Sequence, residues 1–411
     1  MQTNLSPAAR LNPRSEEAEK VLRSCVHCGF CNATCPTYQL TGDELDGPRG
    51  RIYLIKQLLE GEAVSTSTQE HLDRCLSCRN CETTCPSGVE YHKLLDIGRA
   101  EAELQVPRPA SQRLLRWGLK TVMPRPTLFS TLLRAGQMLR PLLPGTLQNK
   151  VPASITAPGT RPPTRHTRTV MLLEGCVQQS LSPNTNSATA RVLDRLGISV
   201  TPCREAGCCG AVDYHLNEQK QGLERARRNI DAWMPVLEQG AEAIIQTASG
   251  CGAFIKEYGH LLRNDPAYAD KARLVSERAL DLVELLGSED LSRLKPTTNQ
   301  RLAFHCPCTL QHAQKLGGTV ESLLQNLGYQ LTAIPDAHLC CGSAGTYSIT
   351  QPQLSIQLRD NKLDALQSGN PDIIATANIG CQMHLESASR TPVKHWIELL
   401  DSSLQTQGAT S

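Results

Sequence analysis

The sequence has no run of eighteen apolar residues, which excludes a helix that crosses a membrane. Its amino terminus, MQTNLSPAARLNPRSEEAEK, lacks the apolar stretch that opens a secretory signal, so a cytoplasmic location is expected. Neither a G-x-G-x-x-G loop nor a G-x-x-x-x-G-K-[ST] loop is present, so no flavin, nicotinamide or nucleotide site of those kinds belongs to this chain. Acidic residues are missing from one long segment: between 104 and 173 there is no Asp or Glu, against eleven Lys and Arg. The chain as a whole is nearly neutral, at +2 from 42 basic and 40 acidic side chains, and gives no reason to expect a nucleic-acid partner. A length of 411 residues implies two to four domains.

What the chain has in abundance is cysteine, eighteen in all. In a reducing compartment thiols bind metals or do redox work far more often than they form structural disulfides. Eight of them form two copies of one motif, CVHCGFCNATCP at 25–36 and CLSCRNCETTCP at 75–86. Each copy reads C-x2-C-x2-C-x3-C-P, the spacing of two-cluster bacterial ferredoxins, in which the fourth cysteine serves the cluster held by the other loop. That rule assigns one 4Fe-4S cluster to Cys25, Cys28, Cys31 and Cys85, and the other to Cys75, Cys78, Cys81 and Cys35. Zinc is the competing occupant, since it also takes four thiolates from C-x2-C pairs, but it explains neither the third evenly spaced cysteine nor Pro36 and Pro86. His27 lies inside the first loop and is expected beside the site or in solvent, because four thiolates already complete it. Arg49 and Arg51 between the loops are candidates to offset cluster charge, with a solvated helix start the equal alternative.

Residues 1–105 thus form a helical domain of bacterial ferredoxin type. The apolar spacing of Ile52, Leu54, Ile55, Leu58 and Leu59 predicts a helix between the motifs, and a second helix is predicted over 91–104. Residues 106–168 read as a basic, proline-punctuated connector with two short amphipathic helices, SQRLLRWGLKTVM and PTLFSTLLRAGQMLRPLL, and then a loose tail.

The rest is a duplication, 169–292 and 298–405. Aligning Cys176 with Cys308 sets Cys208, Cys209 and Gly210 on Cys340, Cys341 and Gly342 at an offset of 132, and Cys251 meets Cys381 at an offset of 130. Short apolar runs ending in cysteine alternate with helical patterns in both copies, which predicts parallel α/β layers with the thiols at the carboxyl ends of the strands. The fold class is therefore multidomain, a helical ferredoxin-type domain followed by two α/β CCG repeats. Each repeat offers four thiols to a further iron-sulfur cluster or to zinc: Cys176, Cys208, Cys209 and Cys251, then Cys308, Cys340, Cys341 and Cys381. Cys203 and Cys306 are candidate fifth members. The competing reading treats these cysteines as small buried apolar residues. His215, His305, His312, His338 and His384 lie near the motifs and are expected to be structural, with His384 the best exception because it follows Cys381 by three residues.

The stretch SCVHCGFCNATCPTYQLTGDELDGPRGRIYLIKQ, with the two CCG repeats, resembles the iron-sulfur subunits of bacterial glycolate oxidases, and the resemblance covers essentially the whole chain. Similar architectures include the third subunit of anaerobic glycerol-3-phosphate dehydrogenase, the iron-sulfur protein of lactate utilisation, and heterodisulfide reductase subunits. The resemblance implies that FAD in separate flavoprotein subunits oxidises the 2-hydroxy acid. This chain would carry the electrons onward toward a membrane quinone, with no catalytic residue of its own. It also implies a CCG repeat ending in C-x2-C and a five-thiolate cluster. Here position 254 is Phe and position 384 is His, so the fifth thiolate is missing unless Cys203 and Cys306 supply it. Leu114, Leu115, Trp117, Leu128, Phe129 and Leu132, set among arginines, are candidates for peripheral contact with an anionic inner-membrane surface, in competition with a partner-docking arm or a plain linker.

Overall fold

The helix expected between the two motifs runs over Pro48–Glu60. Proline in its first turn needs no hydrogen-bond donor, and Gly61 ends it at φ 97°, a backbone conformation that glycine adopts without strain. Ile52, Ile55, Leu58 and Leu59 point inward and pack with Leu94, Leu95 and Ile97 of a helix at Tyr91–Gln105. The computed structural model describes residues 1–142, 151–152 and 154–405. Up to residue 142 all regular elements described are helical: α1 Ser15–Ser24, α2 Phe30–Ala33, α3 Pro36–Thr41, α4 Pro48–Glu60, α5 Thr66–Asp73, α6 Asn80–Thr84, α7 Tyr91–Gln105, α8 Ala110–Val122 and α9 Pro126–Met138, with short 3-10 turns between.

Helices α8 and α9 are the two amphipathic segments of the connector; neither has a fully buried residue. The last residue of the second segment, Leu143, and the part of the connector at 144–150 and 153 lie outside the described residues. Among the described residues no helix is long and apolar enough to cross a membrane.

Two four-stranded parallel sheets follow. The first has the order β2-β1-β3-β4, from β1 Arg168–Leu172, β2 Ile198–Thr201, β3 Ile244–Gln246 and β4 Ala279–Asp281. The second repeats that order as β6-β5-β7-β8, from β5 Arg301–His305, β6 Gln330–Leu331, β7 Ile373–Thr376 and β8 Val393–His395. Three strands per repeat follow the apolar runs expected from sequence. The edge strands β4 and β8 are three residues each, too short for a periodic signal to announce them.

Alternation along the strands decides which core each side chain enters. Val170 and Leu172 of β1, with Leu302 and Phe304 of β5, join one large core shared by both repeats. Met171 and Leu173 face the other way, toward Cys209; Ala303 does the same toward Cys341 and Cys381. Each sheet therefore has a face given to the shared core and a face given to sulfur. Arg191 clamps the shared core from outside through Asp401, at 2.7 Å.

Candidate metal centres

Each amino-terminal loop is bent the same way. His27 and Ser77 sit at φ 59° and 53°, and Gly29 and Arg79 at φ 86° and 61°. Left-handed backbone at non-glycine residues is unfavourable, so the loops hold this shape against local preference. The short helices α2 and α6 come next, and Thr34 Oγ1 at the end of α2 meets Thr84 Oγ1 of α6, 3.1 Å apart and fifty residues apart in the chain. This local symmetry brings the last cysteine of each motif beside the other loop.

Two hollows result. Cys25, Cys28, Cys31 and Cys85 line one, together with Pro48, Arg49, Pro86 and Tyr91. Cys35, Cys75, Cys78 and Cys81 line the other, with Pro36, Arg51 and Leu95. Cys81 also reaches the wall of the first hollow. Among the described residues no carboxylate lines either hollow. Soft sulfur donors around a small apolar space suit iron of an iron-sulfur cluster, and the residues present fit such a group. Burial pushes the Cys31 thiol up to about 11, with the nearby Cys25, Cys85 and Cys28 adding to the effect. Burial likewise raises Cys78 and Cys81 well above the usual thiol range. A cationic occupant would reverse that balance and release protons as it bound.

The walls are held by buried charge. Asp46, fully buried, accepts from His71 Nδ1 at 2.8 Å and from Arg74 at 3.1 Å, and pairs with Arg51 at 3.5 Å. Arg51 also donates to the His71 carbonyl at 2.7 Å and to Thr37 Oγ1 at 3.1 Å. Burial alone would depress its guanidinium, but Cys75, Tyr91, Cys35 and Asp46 around it keep it above its ordinary value. Arg49 covers the first loop closely: a Cβ on Gly29 would meet its Nη1 at 2.5 Å. His27 lies on the outside, stacked on Tyr53 at 6.1 Å.

In the repeats, Gly210 and Gly342 follow their vicinal cysteines at φ 97° and 85°, and a Cβ would come within 2.5 Å of the Gly222 carbonyl and 2.6 Å of the Ser355 carbonyl. Only glycine satisfies both the turn and the close approach. In the first repeat Cys176 and Cys209 donate to Cys208, which lowers its pKa and raises theirs, and Cys251 adjoins Cys209. The second repeat copies the chain of contacts: Cys308 Sγ lies 3.8 Å from Cys340 Sγ, Cys340 adjoins Cys341, and Cys341 adjoins Cys381. N–H groups also reach the sulfurs, from Gly342 to Cys340 at 3.4 Å and from Asn378 to Cys381 at 3.5 Å.

The residues considered as fifth donors fall out differently. Cys203 donates to the Ala232 carbonyl at 3.5 Å. Cys306 turns with Leu302 and Phe304 into the core between the repeats. His384 directs Nε2 to Ser355, 3.0 Å from its hydroxyl and 3.2 Å from its carbonyl. His305, expected from the sequence to be structural, stands differently. It is 2% exposed, and a ring nitrogen lies together with the sulfurs of Cys341 and Cys381, all within 4.8 Å of one another. Its place at the end of an apolar run, on the side of the strand opposite Cys306, was the available signal. Burial and the charge of Lys362 hold its imidazole well below the usual histidine range.

Comparison with known proteins fits this division. Residues 21–89 match the 4Fe-4S dicluster domain, and residues 170–256 and 302–386 match the cysteine-rich CCG domain. The glycolate oxidase iron-sulfur subunit of Escherichia coli (strain K12) is 65% identical over 407 residues, 99% of this chain and 100% of that protein. The probable glycolate oxidase iron-sulfur subunit of Bacillus subtilis (strain 168) is 30% identical over 404 residues, 91% of this chain and 90% of that protein. Lactate utilization protein A of the same organism is 27% identical over 243 residues, 57% of this chain and 99% of that protein. With a dicluster domain, two cysteine-rich domains and relatives matched over nearly their whole length, the chain belongs to the family of glycolate oxidase iron-sulfur subunits, 4Fe-4S electron-transfer components of an oxidoreductase.

Proposed function

We propose that this chain takes electrons from the FAD of separate flavoprotein subunits as glycolate becomes glyoxylate, and passes them toward a quinone. The observation that carries the reading is the interleaving of the two loops: each hollow gathers three cysteines of one motif and the last cysteine of the other, with Cys81 also reaching the first. Cys25, Cys28, Cys31 and Cys85 would hold one 4Fe-4S cluster, and Cys75, Cys78, Cys81 and Cys35 the other; such clusters, when bound, exchange single electrons. The chain's own part is to hold the thiols, to keep water out with the buried Pro36 and Pro48, and to offset thiolate charge with the buried Arg51.

The division of labour follows the domains at 1–105, 106–168, 169–292 and 298–405. Cys78 packs against the apolar group that contains Cys308 and Cys340, which favours the second repeat over the first as the thiol set nearest the second loop. The acid-free connector exposes Leu114, Trp117, Leu132 and Met138, which supports peripheral contact with the inner-membrane surface on the cytoplasmic side. Liposomes of anionic lipid should sediment the complex, and equal sedimentation after loss of residues 107–150 would rule the contact out.

The central test is anaerobic purification with the flavoprotein partners. The chain should carry at least about eight iron atoms with matching sulfide, four per cluster. Glycolate should bleach its cluster absorbance only when the flavoprotein is present. Bleaching by glycolate with the chain alone, or bleaching by lactate or glycerol 3-phosphate in place of glycolate, would overturn the assignment.

A further inference from the structure

Both ring nitrogens of His305 are buried and, among the described residues, have no hydrogen-bond partner. An imidazole in that condition is costly, because it has given up water and received nothing in exchange. Other histidines near the thiols are satisfied. His312 bonds Thr83 at 3.0 Å and the His338 carbonyl at 3.1 Å, and His384 bonds Ser355. The ring of His305 instead lies against two thiols, Cys341 of the CCG turn and Cys381 in the helix Ile379–Glu386.

We infer that His305 is a metal ligand, and that its imidazole nitrogen, Cys341 and Cys381 form a mixed nitrogen-sulfur centre for zinc or for iron of a cluster in the second repeat. A tetrahedral ion with metal-sulfur bonds of about 2.3 Å and metal-nitrogen bonds of about 2.0 Å places its donors roughly 3.3–3.8 Å apart. The three donor atoms lie within 4.8 Å of one another, so small side-chain adjustments reach that spacing. Cys340, next in the chain to Cys341 and 3.8 Å from Cys308, brings further sulfur to the same place. Zinc and cluster iron are both bound by this donor set.

The first repeat supplies an internal control. At the offset of 132 that aligns Cys176 with Cys308, the partner of His305 is Leu173, buried on the same thiol-facing side of its sheet. An apolar residue is therefore what this position takes when it only fills space. The imidazole distinguishes the second centre from the first, and it occupies a different place from the C-x2-C position of His384. The inference is independent of the two ferredoxin-type clusters, whose eight cysteines it does not involve.

The test uses the full chain purified anaerobically as wild type, His305→Leu, His305→Cys and His384→Ala, with iron, zinc and sulfide measured on each. Wild type should contain metal beyond the dicluster iron. His305→Leu should lose that extra metal while keeping the dicluster iron and its absorbance, which also shows that the variant folds. His305→Cys should restore the metal, and His384→Ala should retain it. The nitrogen should be visible directly, as a nitrogen hyperfine coupling lost in His305→Leu if the centre is iron, or as a light-atom scatterer near 2.0 Å in zinc absorption spectra. Full metal content with an unchanged nitrogen signature in His305→Leu, or a wild-type chain with no metal beyond the dicluster, would overturn the inference.

Discussion

The two CCG repeats share a fold and a thiol pattern, yet they meet the amino-terminal domain through different chemistry. The first repeat is held by polar and charged side chains. His260 pairs with Glu17 at 2.7 Å, Arg79 with Glu257 at 2.5 Å, His215 with Asp96 at 3.3 Å, and Arg14 donates to Tyr214 at 3.0 Å. The second repeat is held by apolar side chains and sulfur: Leu76, Cys308, Cys340, Tyr347 and Leu358 form one buried group, with Leu40 and Cys78 packed on it. Its hydrogen bonds to that domain join neutral groups, from Tyr347 to the Arg74 carbonyl at 3.0 Å, from Asn80 to the His338 carbonyl at 3.3 Å, and between Thr83 and His312 at 3.0 Å. An ionic face tolerates water and can be reached from solvent, whereas an apolar face excludes water and brings the second loop and the second thiol set side by side. Duplication preserved the scaffold; the contacts divided the roles.

The largest effect is expected where the apolar face is cut. Leu76→Ala should cost about 2–5 kcal/mol, the range for deleting a buried leucine side chain, seen as a lower denaturant midpoint followed by cluster absorbance. A midpoint unchanged from wild type would mean that the second repeat does not depend on this face. Glu257→Gln should cost no more than about 1 kcal/mol, as for partly exposed ion pairs. That cost should vanish in about 1 M salt, where screening acts within about 3 Å, while the cost of Leu76→Ala should persist. Equal salt sensitivity in both variants would erase the distinction.

A smaller effect belongs to the core between the repeats. Asp281 caps the helix Leu282–Gly287, accepting from the Val283 amide at 3.2 Å, but among the described residues its second oxygen is buried without a hydrogen-bond partner. Burial raises its carboxyl to about 7. Because the folded value exceeds the unfolded value of about 3.9, the folded chain binds the extra proton, and this contribution is full below about pH 4 and lost as pH rises through 7. Asp281→Asn, which keeps the cap, should flatten the fall in melting temperature between pH 5 and 8. An unchanged slope would place the carboxyl elsewhere in the energetics.

Much of this was legible in the residues themselves. Cysteine spacing announced the two loops because ligand geometry leaves few ways to write them, and Pro48 with Gly61 bracketed α4 as punctuation at its ends. The duplication was legible because Cys176, Cys208 and Cys209 recur at one offset. Side-chain direction was harder to read. His305 and Cys306 are neighbours in sequence, and only the pairing of β5 with β7 sends one toward sulfur and the other toward the shared core. The contrast between the ionic and apolar faces was also hidden, since Glu17 meets His260 and Leu76 meets Cys308 across more than two hundred residues.

The crossing of ligands between loops is tested most directly by electron paramagnetic resonance of the reduced chain, comparing Cys31→Ser, Cys78→Ser and Cys35→Ser. Cys35 belongs to the first motif but lines the hollow of the second. Its replacement should alter the signal that Cys78→Ser alters and spare the one that Cys31→Ser removes. If Cys35→Ser instead removed the same signal as Cys31→Ser, each loop would hold its own four thiolates and the interleaved conduit would be contradicted.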